Sequence, residues 1–339
     1  MDADKSRILS PLSGLSAFIG VRLRLKKFLT LAIVATGATA QPYPAKPIRI
    51  IVPYAPGGGV DIIARATAQE LSRRVNQQVI VDNRTGAGGN VGSEMAARSA
   101  PDGYTLLMAS PANSINASLY AKMPYDPLRD LAAVALIAQV PAVLIANRSL
   151  PVANVRQLVA LAKSQPGALT YGSGGSGTTE HLAAEMLKSA AAIDMLHVSY
   201  KGGAQAITDV ISGQIALMFV NMVGALPHVQ SGRVKALAVA GPARSPSLPE
   251  VPTVVQAGYK DFVVSVWWGV MGPSGMPREV INTLNREIVA GLASQEMKDR
   301  LQALSAQPIG GTPEQFTAFF NAETRRWAPI VKASGAKAD

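Results

Sequence analysis

Apolar residues along the chain follow two alternating rhythms. Residues 48–54 read IRIIVPY, a short and nearly unbroken apolar run that predicts a buried strand. Over residues 60–75 the spacing lengthens, and Ile63, Ala66 and Leu71 share the face of a predicted helix. A strand over 78–82, a helix over 90–99 and a strand over 104–109 follow. This β-α-β-α-β order belongs to a parallel sheet covered by helices, an α/β fold. A second block has similar wiring. Val155, Leu158, Val159 and Ala162 mark a helix, 169–172 a strand, 179–190 a helix, 195–199 a strand, 204–212 a helix, and 215–220 and 235–240 two more strands. Two such blocks suggest two α/β lobes. The C-terminal part reads as helical. Ile281, Leu284, Ile288 and Leu292 form an amphipathic stripe after Pro277, and Thr312-Pro313-Glu314-Gln315 is a capping box that opens a last helix running toward Val331.

Three glycine clusters fall where a predicted strand hands over to a helix. They are Pro56-Gly57-Gly58-Gly59, Gly86-Ala87-Gly88-Gly89, and residues 172–177, GSGGSG. Without Cβ atoms a ligand can approach the backbone, and the helix that follows offers unpaired N–H groups with a partial positive charge. Carboxylates and phosphates both suit such a turn, and in open α/β sheets ligands bind at the carboxyl ends of strands. The same glycines could serve only to make tight turns. Gly172, Gly174 and Gly177, with Asp194 further on, formally match a dinucleotide fingerprint, but so glycine-rich a segment matches easily by accident. Asp61 stands just after the first cluster, where a carboxylate suits the first turn of a helix.

Composition narrows the choice. With 48% hydrophobic and 16% charged residues in 339, the chain can bury a sizeable core. Arg22, Arg24, Lys26 and Lys27 precede the apolar stretch 28–36 and then Ala38-Thr39-Ala40. Basic, apolar, small is the order of a secretory signal peptide, with cleavage expected after Ala40 and export to the periplasm. The formal charge of +10 falls to +6 without residues 1–40. The basic residues beyond that point are scattered, which disfavours nucleic acid and suits attraction of anionic solutes. There is no cysteine, so disulfides and cysteine metal sites are excluded.

Catalytic patterns are missing. A serine-hydrolase elbow at Ser176 fails because Thr178 takes the last glycine position, and no Walker lysine motif is present. His181, His197 and His228 are not at metal-ligand spacing and read as structural hydrogen-bonding residues. Arg84 and Lys201 lie near predicted loops, but no cluster of arginines forms a clamp for an acid. No cofactor or metal is expected.

The segment YPAKPIRIIVPYAPGGGVDIIAR, from Tyr43, resembles the mature start of the Bordetella-uptake-gene (Bug) proteins, the periplasmic receptors of tripartite tricarboxylate transporters. Matches follow in order: VDNRTGAGGNVGSEMAARSAPDGYTLLMAS from Val81, LYAKMPYDPLRDL from Leu119, HVSYKGGAQAITDVISGQIALMF from His197, ALPHVQSGRVKALAV from Ala225, LPEVPTVVQAGY from Leu248 and GGTPEQF from Gly310. The resemblance implies a type II periplasmic-binding-protein fold, with a ligand cleft between lobe 1 (41–140 and 262–339) and lobe 2 (141–261). Residues 1–40 are an extension plus signal peptide. It also implies a small organic carboxylate as ligand (a dicarboxylate, tricarboxylate, aromatic acid or amino acid), held by backbone groups and water. A membrane permease is the implied partner, the receptor is monomeric, and there is no enzymatic turnover. Docking on a sensor kinase is the alternative, and a nucleotide-dependent enzyme a more distant one.

Carried over position by position, the ligand-binding residues are Tyr54, Pro56, Gly57, Gly58, Gly59 and Asp61 in the first loop, and Ser110 and Asn113 after the third strand. The second lobe contributes Ser173, Gly174, Gly175, Ser176, Gly177 and Thr178, then Tyr200, then Asn221. Trp267 or Trp268 matches an aromatic position. The chain departs from the family at Val60, where threonine is frequent, and at Val220, where aspartate is common. Either that loss argues against an amino-acid ligand, or position 220 points into the core and reports nothing.

Overall fold

The structure, a computed structural model, describes residues 43–336 and 338. The basic run, the apolar stretch after it and the cleavage position at Ala40 lie outside the described residues.

Both βα blocks form. The first is β1 (Ile48–Val52), α1 (Gly59–Val75), β2 (Val79–Asn83), a 3-10 turn (Ala87–Gly89), α2 (Asn90–Ala97), β3 (Thr105–Ala109) and α3 (Pro111–Leu119). A long strand, β4 (Leu131–Asn147), leads to the second: α4 (Val155–Ser164), β5 (Thr170–Ser173), α5 (Thr179–Ala191), β6 (Leu196–Ser199), α6 (Gly203–Ser212), β7 (Leu217–Asn221), α7 (Met222–Gln230) and β8 (Val234–Val239). Then come β9 (Ser265–Pro273), α8 (Arg278–Leu292), α9 (Gln295–Ala303), β10 (Gln307–Gly310) and α10 (Pro313–Ser334). The expected capping box is present: Thr312 accepts from Gln315 N while the Gln315 side chain accepts from Thr312 N. Sequence and structure agree on the elements they share to within about three residues, the usual slack at fraying ends.

The strands run in the order β2-β1-β3-β9-β4-β7-β5-β6, and β8 and β10 also pair with β4. Parallel pairing joins β1 to β2 and β3, and β5 to β6 and β7. The strand β4 belongs to both halves of the sheet. Its first part lies antiparallel to β9, and its second part lies antiparallel to β7 and β8. At the changeover Ala142 N donates to Val264 O (2.9 Å), Val264 N to Ala240 O (2.7 Å) and Ala240 N to Ala142 O (2.7 Å). Pro141, with no N–H to donate, sits at this junction.

The core follows the two-residue alternation of the strands. In β1, Ile48, Ile50 and Val52 enter the main apolar cluster, while Ile51 enters a second one with Leu107, Leu136, Trp267, Phe316 and Phe320. The first half of the sheet is therefore covered on both faces, and each fully buried Leu or Ile contributes about 1.5–3 kcal/mol relative to exposure. With this packing, the carboxyl ends of β1, β3, β5, β6 and β7 each lead into a helix.

Candidate ligand cleft

Five helices begin around one cleft. They are α1, α3, α5, α6 and α7, with Gly58, Ser110, Thr178, Gly202 and Asn221 as N-caps. Each puts part of its first turn or cap into the wall: Gly58, Gly59 and Val60; Ser110, Pro111 and Ala112; Thr178, Thr179 and Glu180; Gly203; and Asn221. Tyr54, Gly174, Ile207, Val220 and Val266 complete it. A helix N-terminus presents unpaired N–H donors and roughly half a positive charge. Five of them converging suit a small anion, and no arginine, lysine or histidine lines the space. The free volume at its centre is only ≈ 30 Å³, room for one or two waters.

Asp61 holds the first loop in shape from behind. Its carboxylate accepts from Gly57 N (2.9 Å), Arg65 Nε (2.9 Å) and Asn83 Nδ2 (3.0 Å). Burial alone would raise its pKa, but the hydrogen bonds from Arg65, Gly57 and Asn83 outweigh that and hold it below the ordinary carboxylate value. Asn83 Nδ2 also donates to Tyr54 O (2.9 Å), which ties the end of β1 to β2. The Tyr54 hydroxyl lies 3.3 Å from Ser110 Oγ, and burial pushes its pKa up.

The second-half loop is braced by its own side chains and by two histidines. Ser173 Oγ lies 2.7 Å from His197 Nε2 and accepts from Gly175 N at 3.1 Å. His197 stacks on His181 with ring centroids 4.1 Å apart, and His181 Nδ1 accepts from Gly177 N at 3.2 Å. The Thr178 hydroxyl donates to Gly175 O at 2.7 Å. The two histidines thus act as hydrogen-bonding struts behind the glycine turn.

Of the residues expected to touch ligand, Tyr54, Gly58, Gly59, Ser110, Gly174, Thr178 and Asn221 line the cleft. The others lie elsewhere for identifiable reasons. Pro56 and Gly57 are exposed at the loop tip, and Asp61 and Ser173 serve the bracing just described. Asn113 is spent on the capping box of α3 and donates to Ser93 Oγ (2.9 Å) and Tyr125 OH (3.1 Å). The Tyr200 hydroxyl donates to Asp209 at 2.6 Å, and burial together with that carboxylate pushes its pKa up to about 12. Trp267 is packed edge-on against Phe316, Phe319 and Phe320, on the opposite face of β9 from Val266, and Trp268 is buried in the main core. Gly175, Ser176 and Gly177 are contact residues between the two halves. A Cβ on Gly88 would come within 2.0 Å of Ser176 O, and one on Gly177 within 1.9 Å of Asn116 Oδ1.

Lining residues that sequence reasoning missed include Glu180 and Gly203. A usable signal for Gly203 was the pair Gly202-Gly203, a further glycine pair at a strand-to-helix junction. Val220 borders the cleft and is at the same time buried in the main core, so both of its readings stay open. Among the described residues no group of three or more His, Cys, Asp or Glu is placed to hold a metal ion.

The chain as a whole is similar to known proteins. Residues 63–336 match the tripartite tricarboxylate transporter family receptor. Protein BugT of Bordetella pertussis is 39% identical over 314 residues, which cover 91% of this chain and 96% of that protein. The solved structure of R. palustris Rpa4515 with adipate aligns with a TM-score of 0.84 at 33% identity, covering 87% of this chain and 99% of that one. MatC from Rhodopseudomonas palustris with bound malate aligns with a TM-score of 0.82 at 29% identity, covering 85% and 100%. The match over most of the chain, together with an α/β fold shared with periplasmic binding proteins, places this chain in the family of tripartite tricarboxylate transporter receptors of the Bug type.

Proposed function

We propose that the protein is a periplasmic receptor that closes on a small organic carboxylate and delivers it to a membrane permease of the tripartite tricarboxylate type. The observation that carries this reading is the convergence of five helix N-termini on a cleft without basic side chains. Backbone N–H groups supply the positive end, and ordered water in the remaining space is nearly as good enthalpically as a direct contact. The adipate and malate named for the two similar structures support a carboxylate ligand here.

The small free volume implies that entry requires opening. In this reading lobe 1 (41–140 and 262–339) and lobe 2 (141–261) part about the junction where Pro141, Ala142 and Val264 meet. Ligand then selects the closed form, and binding free energy must exceed the cost of closure. Export through a signal peptide ending at Ala40 puts the receptor in the periplasm. Among the described residues no helix is long and apolar enough to cross a membrane.

Thermal denaturation with dicarboxylates, aromatic acids, amino acids and neutral solutes tests the reading. A ligand at 100 times its Kd adds about 2.7 kcal/mol and raises Tm by several degrees. A rise with a neutral solute and with no carboxylate would overturn the proposal.

A further inference from the structure

Glu180 is an acid inside a site built for acids. It is the second residue of α5 and lines the cleft. A Cβ on Gly203 would lie 3.5 Å from its Oε1, so the carboxyl group reaches the start of α6. Burial is the main influence on it and raises its pKa, while the Thr178 hydroxyl and the N–H groups of Glu180 and Gly174 act in the opposite direction. The wall holds no lysine, arginine or histidine to balance it. Tyr54, the other ionisable side chain there, is kept neutral by burial. Ile207, Val220 and Val266 are apolar, so Glu180 is the one charge the wall can present.

Burial disfavours the ionised form of Glu180, and a dianionic ligand shut in beside it would disfavour that form further, whereas an ammonium group would stabilise the carboxylate. A ligand that carries an ammonium group as well as a carboxylate meets both polarities. Its carboxylate is served by the helix N-termini across the cleft, and its amine by Glu180. Position 220 presents only an apolar side chain, yet the cleft still holds an acid, on the neighbouring helix α5. We propose that Glu180 is the specificity-determining residue that reads an amino group, so that this receptor takes an amino acid or a similar aminocarboxylate in preference to the same acid without its amine. The inference rests on the carboxylate-binding reading above and deepens it.

The test is calorimetric titration with matched pairs: aspartate and succinate, glutamate and glutarate, phenylalanine and 3-phenylpropionate, leucine and 4-methylpentanoate. In the wild-type protein the amino acid of the best-bound pair is expected to bind at least about 10-fold tighter than its deaminated partner, the scale of one well-placed charge pair. Glu180→Gln keeps the shape and removes the charge, and should reduce that ratio at least about 10-fold. Glu180→Asp should retain part of it. Equal or tighter binding of the deaminated acids by wild type overturns the proposal and leaves the carboxylate reading intact, as does an unchanged ratio in a folded Glu180→Gln. Failure of every acid in the panel to bind overturns both. If Glu180→Gln does not fold, the wild-type ratio decides alone.

Discussion

At the residue scale, Gly58 and Gly59 look identical in sequence and differ sharply in surroundings. A Cβ on Gly58 meets nothing closer than Ala204 N at 3.9 Å, whereas one on Gly59 would fall 2.1 Å from Asn221 Oδ1. Asn221 is fixed, because that oxygen accepts from Gly224 N at 2.9 Å and caps α7. Gly58→Ala should therefore bind ligand within a few-fold of wild type, while Gly59→Ala should lose at least about 10-fold, roughly 1.4 kcal/mol. Titration of both variants checks this, and equal losses would show that the wall yields around Asn221. Asp61→Asn replaces one acceptor oxygen with a donor facing three N–H groups, and should cost about 1–3 kcal/mol at neutral pH. The pH dependence follows from the direction of its shift. A depressed folded-state pKa means that the contribution of Asp61 is fully present above its ordinary value of about 3.9 and is lost as pH falls through the lowered value. Urea unfolding should thus show the gap between wild type and variant wide at pH 7 and narrowing below about pH 4. Sequence could place such residues on the loop, but not on the correct side of it. Asn113, Tyr200 and Trp267, expected to contact ligand, are engaged by a capping box, Asp209 and a phenylalanine cluster, partners that sequence spacing does not reveal.

At the scale of elements, legibility followed periodicity. Helices with a polar face were read almost to the residue: α8 buries Leu284, Ile288 and Leu292, three of the four positions expected. The strands β4 and β9 were not read, although β4 organises the sheet. Its sequence LAAVALIAQVPAVLIAN is apolar nearly throughout because it is buried on both faces, and such a run has no period that separates strand from helix. The short helices α3 and α7 start directly at the cleft with strongly capped first turns, and in α7 a proline at 227 breaks the pattern a reader would look for. Capping offers a clean energetic test away from the cleft. Thr312→Ala removes the acceptor for Gln315 N and should lower stability by about 1 kcal/mol without changing ligand affinity, measured by chemical unfolding and titration. A change in affinity would mean that α10, which packs on α3, couples its first turn to the cleft.

At the scale of the whole molecule, the glycine turns acquire a role that neither a ligand cradle nor a tight turn describes. Several of them are where the two halves touch. Ala55 N donates to Lys201 O at 3.1 Å, and a Cβ on Gly202 would sit 3.1 Å from Ala55 N. Gly88 packs its Cα against Gly175, and a Cβ there would lie 2.0 Å from Ser176 O, an atom of the main chain that no rotamer change can move. These approaches exist only while the halves are together, so side chains at these positions would act on closure before they acted on ligand contacts. Gly88 does not line the cleft, which makes it the sharpest probe. Its φ of +60° adds a modest local strain to any replacement. If the two halves are lobes that open and close, Gly88→Ala should remain folded, with a Tm within a few degrees of wild type. It should nevertheless bind ligand about 10–100-fold more weakly, because a closed form that costs more free energy lowers the apparent affinity by the fraction of competent molecules lost. Small-angle scattering distinguishes this from damage at the site itself. Wild type should contract when saturating ligand is added, whereas Gly88→Ala should stay at the expanded radius until much higher ligand concentrations. A variant that contracts and binds like wild type would mean that the two loops slide past each other at little cost, and that closure does not depend on the glycine contacts.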